Sequence, residues 1–200
     1  MLKLGFLASH NGSNMQAVVH AINNGKLDAV PRIVISNNRH SGALRFAEAQ
    51  EIPRRCLNRH THPDLHALDR AILTTLKTHE VNLVLLVGYM KLLGPRTIAE
   101  YRGRILNIHP ALLPKYSGKG MYGMRVHRAV LAANAKQTGV TIHLADEKYD
   151  HGDIIAQCTV PVEPGDMPET LYARVLQREH RFLVETLKDI VDGRIPLPAH

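Results

Sequence analysis

An α/β doubly wound fold is predicted for this chain: a mostly parallel sheet with helices on both faces and a short antiparallel extension near the C-terminus. Three observations predict it. Short apolar runs alternate with longer stretches of helical period, as in successive strand–helix units. The apolar runs at 83–87 and 105–108 lack the polar alternation of a half-exposed strand, so both their faces are covered, as in a parallel sheet. After residue 138, two further apolar runs are separated by too few residues for a crossover helix, which fits an antiparallel pair.

In order, residues 2–8 read as a strand, followed by a polar turn over 9–13. Helical period from 14 to about 24 sets Met15, Val18, Val19 and Ile22 on one face, and Gly25 stops it. A strand over 30–36 and a helix over 42–51 come next, then a helix over 63–79 carrying Leu65, Leu68, Ile72, Leu73 and Leu76. His127 and Arg128 open a further helix and read as surface residues. Strands over 139–144 and 154–162 precede a long amphipathic helix over 168–192, which Gly193 ends. With no linker in view, one domain over 1–200 is expected.

Hydrophobic content of 44% and charged content of 22% are those of an ordinary globular protein. The 25 Lys and Arg outnumber 18 Asp and Glu, for a net charge of +7, which favours anionic partners. The basic residues are scattered and tryptophan is absent, so small anionic substrates are expected rather than nucleic acid. No run approaches the roughly 20 apolar residues that span a bilayer, so no membrane partner is expected. Cys56 and Cys158 stand far apart, which fits a reducing, cytoplasmic setting. Thirteen histidines invite a metal, but His60, His62 and His66 lack further ligands in spacing, so none is expected.

Two segments carry chemistry. The turn His10-Asn11-Gly12-Ser13-Asn14 joins the first strand to the first helix, a place where backbone N–H groups suit a phosphate; a capped turn with no ligand fits equally well. Asn107 and His109 lie one residue apart at a strand end, so their side chains project from one face. Asp150 sits in a loop between two later strands. If it meets His109, it orients the ring and favours the imidazolium, and the trio can stabilise an oxyanion and shuttle a proton at an acyl centre. No activated Ser or Cys is evident nearby, so direct attack by a substrate amine is the natural chemistry.

Taken together, Asn11-Gly12-Ser13-Asn14, Val87 to Leu93, Leu106-Asn107-Ile108-His109-Pro110-Ala111-Leu112-Leu113-Pro114, Gly139 to His143, the Asp150 loop and Arg178-Glu179-His180 resemble the phosphoribosylglycinamide formyltransferases among the folate-dependent formyltransferases. The resemblance runs from about residue 4 to 185 and implies 10-formyltetrahydrofolate as co-substrate and glycinamide ribonucleotide as acceptor. It implies that Gly12, Ser13 and Asn14 hold the phosphate, that Gly88 and Glu179 contact the ribonucleotide, and that Met90, Lys91, Leu92 and Leu93 line the folate pocket. Asn107 then polarises the formyl oxygen, His109 donates a proton, and Asp150 raises the pKa of His109. The chain departs from the pattern at Lys91, where arginine is common, and at His62-Pro63-Asp64-Leu65, which lacks an arginine offered to folate. The loop 117–123 reads either as a lid over the substrates or as a flexible surface loop. Alternatives are a formyltetrahydrofolate hydrolase, which would carry a further N-terminal domain, and a non-catalytic nucleotide-binding module.

Overall fold

The computed structural model describes residues 1–198; the last two residues of the expected 1–200 domain lie outside them. Five parallel strands come first: β1 (Leu2–Leu7), β2 (Ala29–Ser36), β3 (Arg54–Cys56), β4 (Leu83–Leu86) and β5 (Ile105–His109). The last two, β6 (Gln137–Leu144) and β7 (Ile154–Pro161), run antiparallel. The sheet order is β3-β2-β1-β4-β5-β6-β7, the doubly wound sheet with its antiparallel extension. Helices α1 (Ser13–Asn23), α2 (Gly42–Ala49), α3 (Leu65–Thr78), α4 (Pro95–Glu100), α5 (Met124–Ala132) and α6 (Pro168–Val191) flank it.

Alternation along the inner strands sorts apolar side chains onto two covered faces. Leu4, Phe6, Leu83 and Leu85 pack with Met15 and Val18 of α1, Val126 and Val130 of α5, and Leu171 and Val175 of α6. Leu7, Val84, Leu86 and Ile105 pack on the other face with Ile72 and Leu76 of α3 and Ile98 of α4. Each such side chain contributes about 1.5–3 kcal/mol by leaving water, which explains strands that read as unbroken apolar runs.

Two elements go beyond the sequence reading. β3 is three residues of Arg-Arg-Cys at the sheet edge, too short to show a period. α4 is six residues, and its first turn is capped from a distance by Asp69 of α3, whose carboxylate accepts from the N–H groups of Arg96 and Thr97 at 2.9 and 3.1 Å. The contact needs Gly94, since a Cβ there would sit 2.2 Å from the carboxyl carbon of Asp69. α5 begins at Met124, and His127 is 1% exposed rather than a surface residue. It shares the inner face of α5 with Val126 and Val130, its ring edge-on to Tyr172 at 5.5 Å. Among the described residues, no helix is long and apolar enough to cross a membrane.

Candidate active site

Because β1, β4 and β5 are neighbours and run parallel, the turns that follow them open at one edge of the sheet. Ser9 braces two of them. Its N–H donates to the Gly88 carbonyl at 3.0 Å, and its Oγ accepts from the Met90 N–H at 2.8 Å and donates to Asn37 Oδ1 at 2.5 Å. The Met90 N–H is therefore committed within the protein.

In the first turn, Gly12 takes φ 64° and ψ 40° at the N-cap of α1, a conformation that glycine adopts at little cost. No side chain caps the helix, so neither Ser13 nor Asn14 fills that role. An uncapped helix N-terminus favours an anion. Asn14 turns inward instead, and its Nδ2 donates to Glu179 Oε2 of α6 at 2.6 Å. Burial pushes the Glu179 carboxyl up to about 7, against the lowering effect of the Asn14 hydrogen bond.

In the second turn, Gly88 is exposed with φ 79° and open space where a Cβ would point. Lys91 is exposed, Leu92 is 48% exposed and Met90 is half-buried. The Leu93 side chain, at 8% exposure, packs into the core with Tyr89 and Ile98 and anchors the loop.

At the end of β5 the structure brings Asn107, His109 and Asp150 together. His109 is 3% exposed. Its Nε2 lies 2.8 Å from the Tyr116 carbonyl and its Nδ1 lies 3.5 Å from Asp150 Oδ1, so both ring nitrogens face acceptors. Asp150 Oδ1 is also 3.5 Å from Asn107 Nδ2, and its Oδ2 accepts from the Gly118 N–H at 3.0 Å. The loop 117–123 is thus tied to the carboxylate. Tyr116 and Asp150 both hold positive φ, 56° and 54°, and such strained backbone clusters at functional sites.

The electrostatics differ from the simple expectation in one respect. Burial lowers the pKa of His109, while the Asp150 charge and the Tyr116 carbonyl oppose it; the net direction is down. For Asp150, burial raises the pKa, but the neighbouring His143 and His109 rings and the Gly118 N–H together hold it below the usual carboxylate value. The free site therefore pairs a carboxylate with a neutral imidazole whose Nε2–H points at the Tyr116 carbonyl, and a proton added at Nδ1 faces Asp150.

Sequence reasoning missed the residues that hold this edge in place. Thr141, opposite His109 across the β5–β6 pair, donates its hydroxyl to the Ala111 carbonyl at 2.6 Å. The same oxygen accepts from the Leu113 N–H at 3.1 Å and from Gln157 Nε2 at 2.8 Å. Thr141→Val strands these partners, and we expect a loss of about 2–3 kcal/mol, or roughly 5–10 °C in the thermal midpoint. A circular dichroism melt checks this, and an unchanged midpoint would refute it. Among the described residues, no group of three or more His, Cys, Asp and Glu is arranged to hold a metal ion.

Known proteins resemble this chain along most of its length. The formyl transferase family model matches residues 2–187. A chloroplastic phosphoribosylglycinamide formyltransferase from Vigna unguiculata is 38% identical over 96% of this chain, which spans 62% of that relative's length. The phosphoribosylglycinamide formyltransferase of Bacillus subtilis is 33% identical, covering 96% of this chain and 95% of its own. The crystal structure of glycinamide ribonucleotide transformylase 1 from Symbiobacterium toebii matches with a TM-score of 0.90 at 32% identity, over 100% of this chain and 92% of that one. A family match over most of the chain, with near end-to-end likeness to bacterial members, places this protein in the formyl transferase family, among the phosphoribosylglycinamide formyltransferases.

Proposed function

We propose that this protein transfers a formyl group from 10-formyltetrahydrofolate to the amine of glycinamide ribonucleotide, a step of purine synthesis. The observation that carries the proposal is the cluster of Asn107, His109 and Asp150 at the edge where the turns after β1 and β4 also open. Gly12, Ser13 and Asn14 receive the phosphate at the start of α1, with Gly88 and Glu179 toward the rest of the ribonucleotide. Met90, Lys91 and the exposed Leu92 receive the folate, with Leu93 as their anchor. Both substrates are small molecules, and neither a metal nor nucleic acid has a part. One domain over residues 1–200, acting in the cytoplasm, completes the reading.

The chemistry follows from the contacts. The ribonucleotide amine attacks the formyl carbon, negative charge gathers on the formyl oxygen, and an Asn107 N–H stabilises it. The neutral His109 ring takes up the proton that the amine sheds, and Asp150 and the Tyr116 carbonyl hold the resulting imidazolium. The ring then returns the proton to the departing folate nitrogen as the tetrahedral intermediate collapses. Much of the rate comes from holding two substrates side by side.

A spectrophotometric assay of folate deformylation, run with and without glycinamide ribonucleotide, tests this. Turnover is expected only with the ribonucleotide. Turnover that ignores it would make the protein a hydrolase, and ligand binding without turnover would make it a binding module.

A further inference from the structure

His143 lies outside the trio that the proposed chemistry uses, yet it is 1% exposed and touches two of its members. It stands directly opposite Asn107 in the antiparallel β5–β6 pair, so the two side chains share a face. Its Nδ1 is 2.8 Å from the Leu144 carbonyl. A carbonyl can only accept, so Nδ1 carries the hydrogen, and in the neutral ring Nε2 is left with a lone pair.

That lone pair faces Asn107 Nδ2 at 3.0 Å. The amide must therefore present its NH₂ end to the ring, because its oxygen would meet another lone pair there. Asp150 Oδ1 is 3.6 Å from the same Nε2, beyond an N–H···O bond, so the nearer Asn107 amide is the ring's partner there. The NH₂ group of Asn107 has one N–H spent on His143. Its approach to Asp150 Oδ1 is only 3.5 Å, a weak hold, so the second N–H is free for a substrate oxygen.

We infer that His143 is a positioning residue, which through its Nδ1–H tautomer orients the Asn107 amide to present a donor rather than an acceptor to the formyl oxygen. Without that lone pair the amide can turn over, and an oxygen facing a developing oxyanion repels it. The inference rests on the proposed reading for the identity of that oxygen, but the tautomer and the amide orientation do not.

Two measurements test it. A long-range ¹H–¹⁵N correlation spectrum of the full-length protein with labelled histidine reads the tautomer directly, with His143→Gln assigning the signal. A proton on Nδ1 and none on Nε2 is expected; a proton on Nε2 at neutral pH overturns the inference whether or not the protein is active. The second compares two variants. His143→Leu keeps the bulk and loses the acceptor, and we expect kcat to fall roughly 10- to 100-fold with KM for the ribonucleotide unchanged.

His143→Gln restores an acceptor, and should recover most of the rate. In an Asn107→Ala background, His143→Leu should cost less than about twofold, because the group it orients is gone. Equal losses for Leu and Gln, or additive losses with Asn107→Ala, would reduce His143 to packing. Absence of formylated ribonucleotide in the wild type would sink the transferase reading while leaving the spectrum to decide the tautomer.

Discussion

Replacing His109 with alanine is expected to lower kcat by about 10²- to 10⁴-fold, the usual contribution of a positioned acid–base group, with little change in ribonucleotide affinity. The ring places Nε2 against the Tyr116 carbonyl and Nδ1 toward Asp150, so a proton added at Nδ1 meets a carboxylate. Single-turnover kinetics with equilibrium binding of the ribonucleotide separates the two effects, and a variant as fast as wild type removes His109 from the mechanism. The pH dependence follows from the same contacts. Since burial depresses the pKa of His109, the ring is neutral above an inflection lying below the ordinary histidine value of 6.5. The rate should rise with pH through that inflection. Asp150→Asn should move the inflection further down, because the charge that favours the imidazolium is lost; an unmoved inflection would show that Asp150 does not act through His109.

The second large effect is on stability. Glu179→Gln should stabilise the protein at pH 8 by an amount on the order of 3 kcal/mol, and by far less near pH 5. Glu179 titrates near 7 in the folded protein against 4.5 for the unperturbed carboxyl. A raised carboxyl pKa means that the native state holds the proton more tightly than the unfolded chain does. Its contribution is therefore intact below about pH 4.5 and is lost as pH rises through 7, where a charge must be kept beneath α1. Glutamine keeps the acceptor for Asn14 and never charges. Denaturant unfolding at the two pH values reads the difference, and an equal gain at both would rule out a buried protonated carboxyl. The same variant should weaken ribonucleotide binding if Glu179 contacts it.

The core strands were legible because burial on both faces leaves a local mark: most positions are apolar, and in β4 all of them are. α3 and α6 were legible for the same reason, through periods long enough to count. β3 and α4 were not, since one is three residues long and the other depends on a cap from Asp69, 27 residues away in sequence. The active edge divided in the same way. Asn107 and His109 could be paired from strand geometry, whereas the positions of Thr141 and His143 opposite them depend on a register that no local pattern records. The Asn14–Glu179 contact joins residues 165 apart, so each could be named without the other being seen as its partner. His127 was misread because a His-Arg pair looks polar, although the helical period sets its ring between apolar neighbours.

Ser9 has a part in the chemistry without belonging to it. One residue, through its N–H and its hydroxyl, joins the end of β1 to the loop after β4 and holds both against Asn37. Those are the turns assigned to the ribonucleotide and to the folate, so the clearance between donor and acceptor is gauged at a single side chain. In a reaction between two bound molecules, effective molarity depends steeply on that clearance, and a shift of about 1 Å can cost two orders of magnitude. Loosening this brace would leave each substrate its own contacts while spoiling the alignment of amine with formyl carbon, a loss that binding measurements on either substrate alone would not reveal.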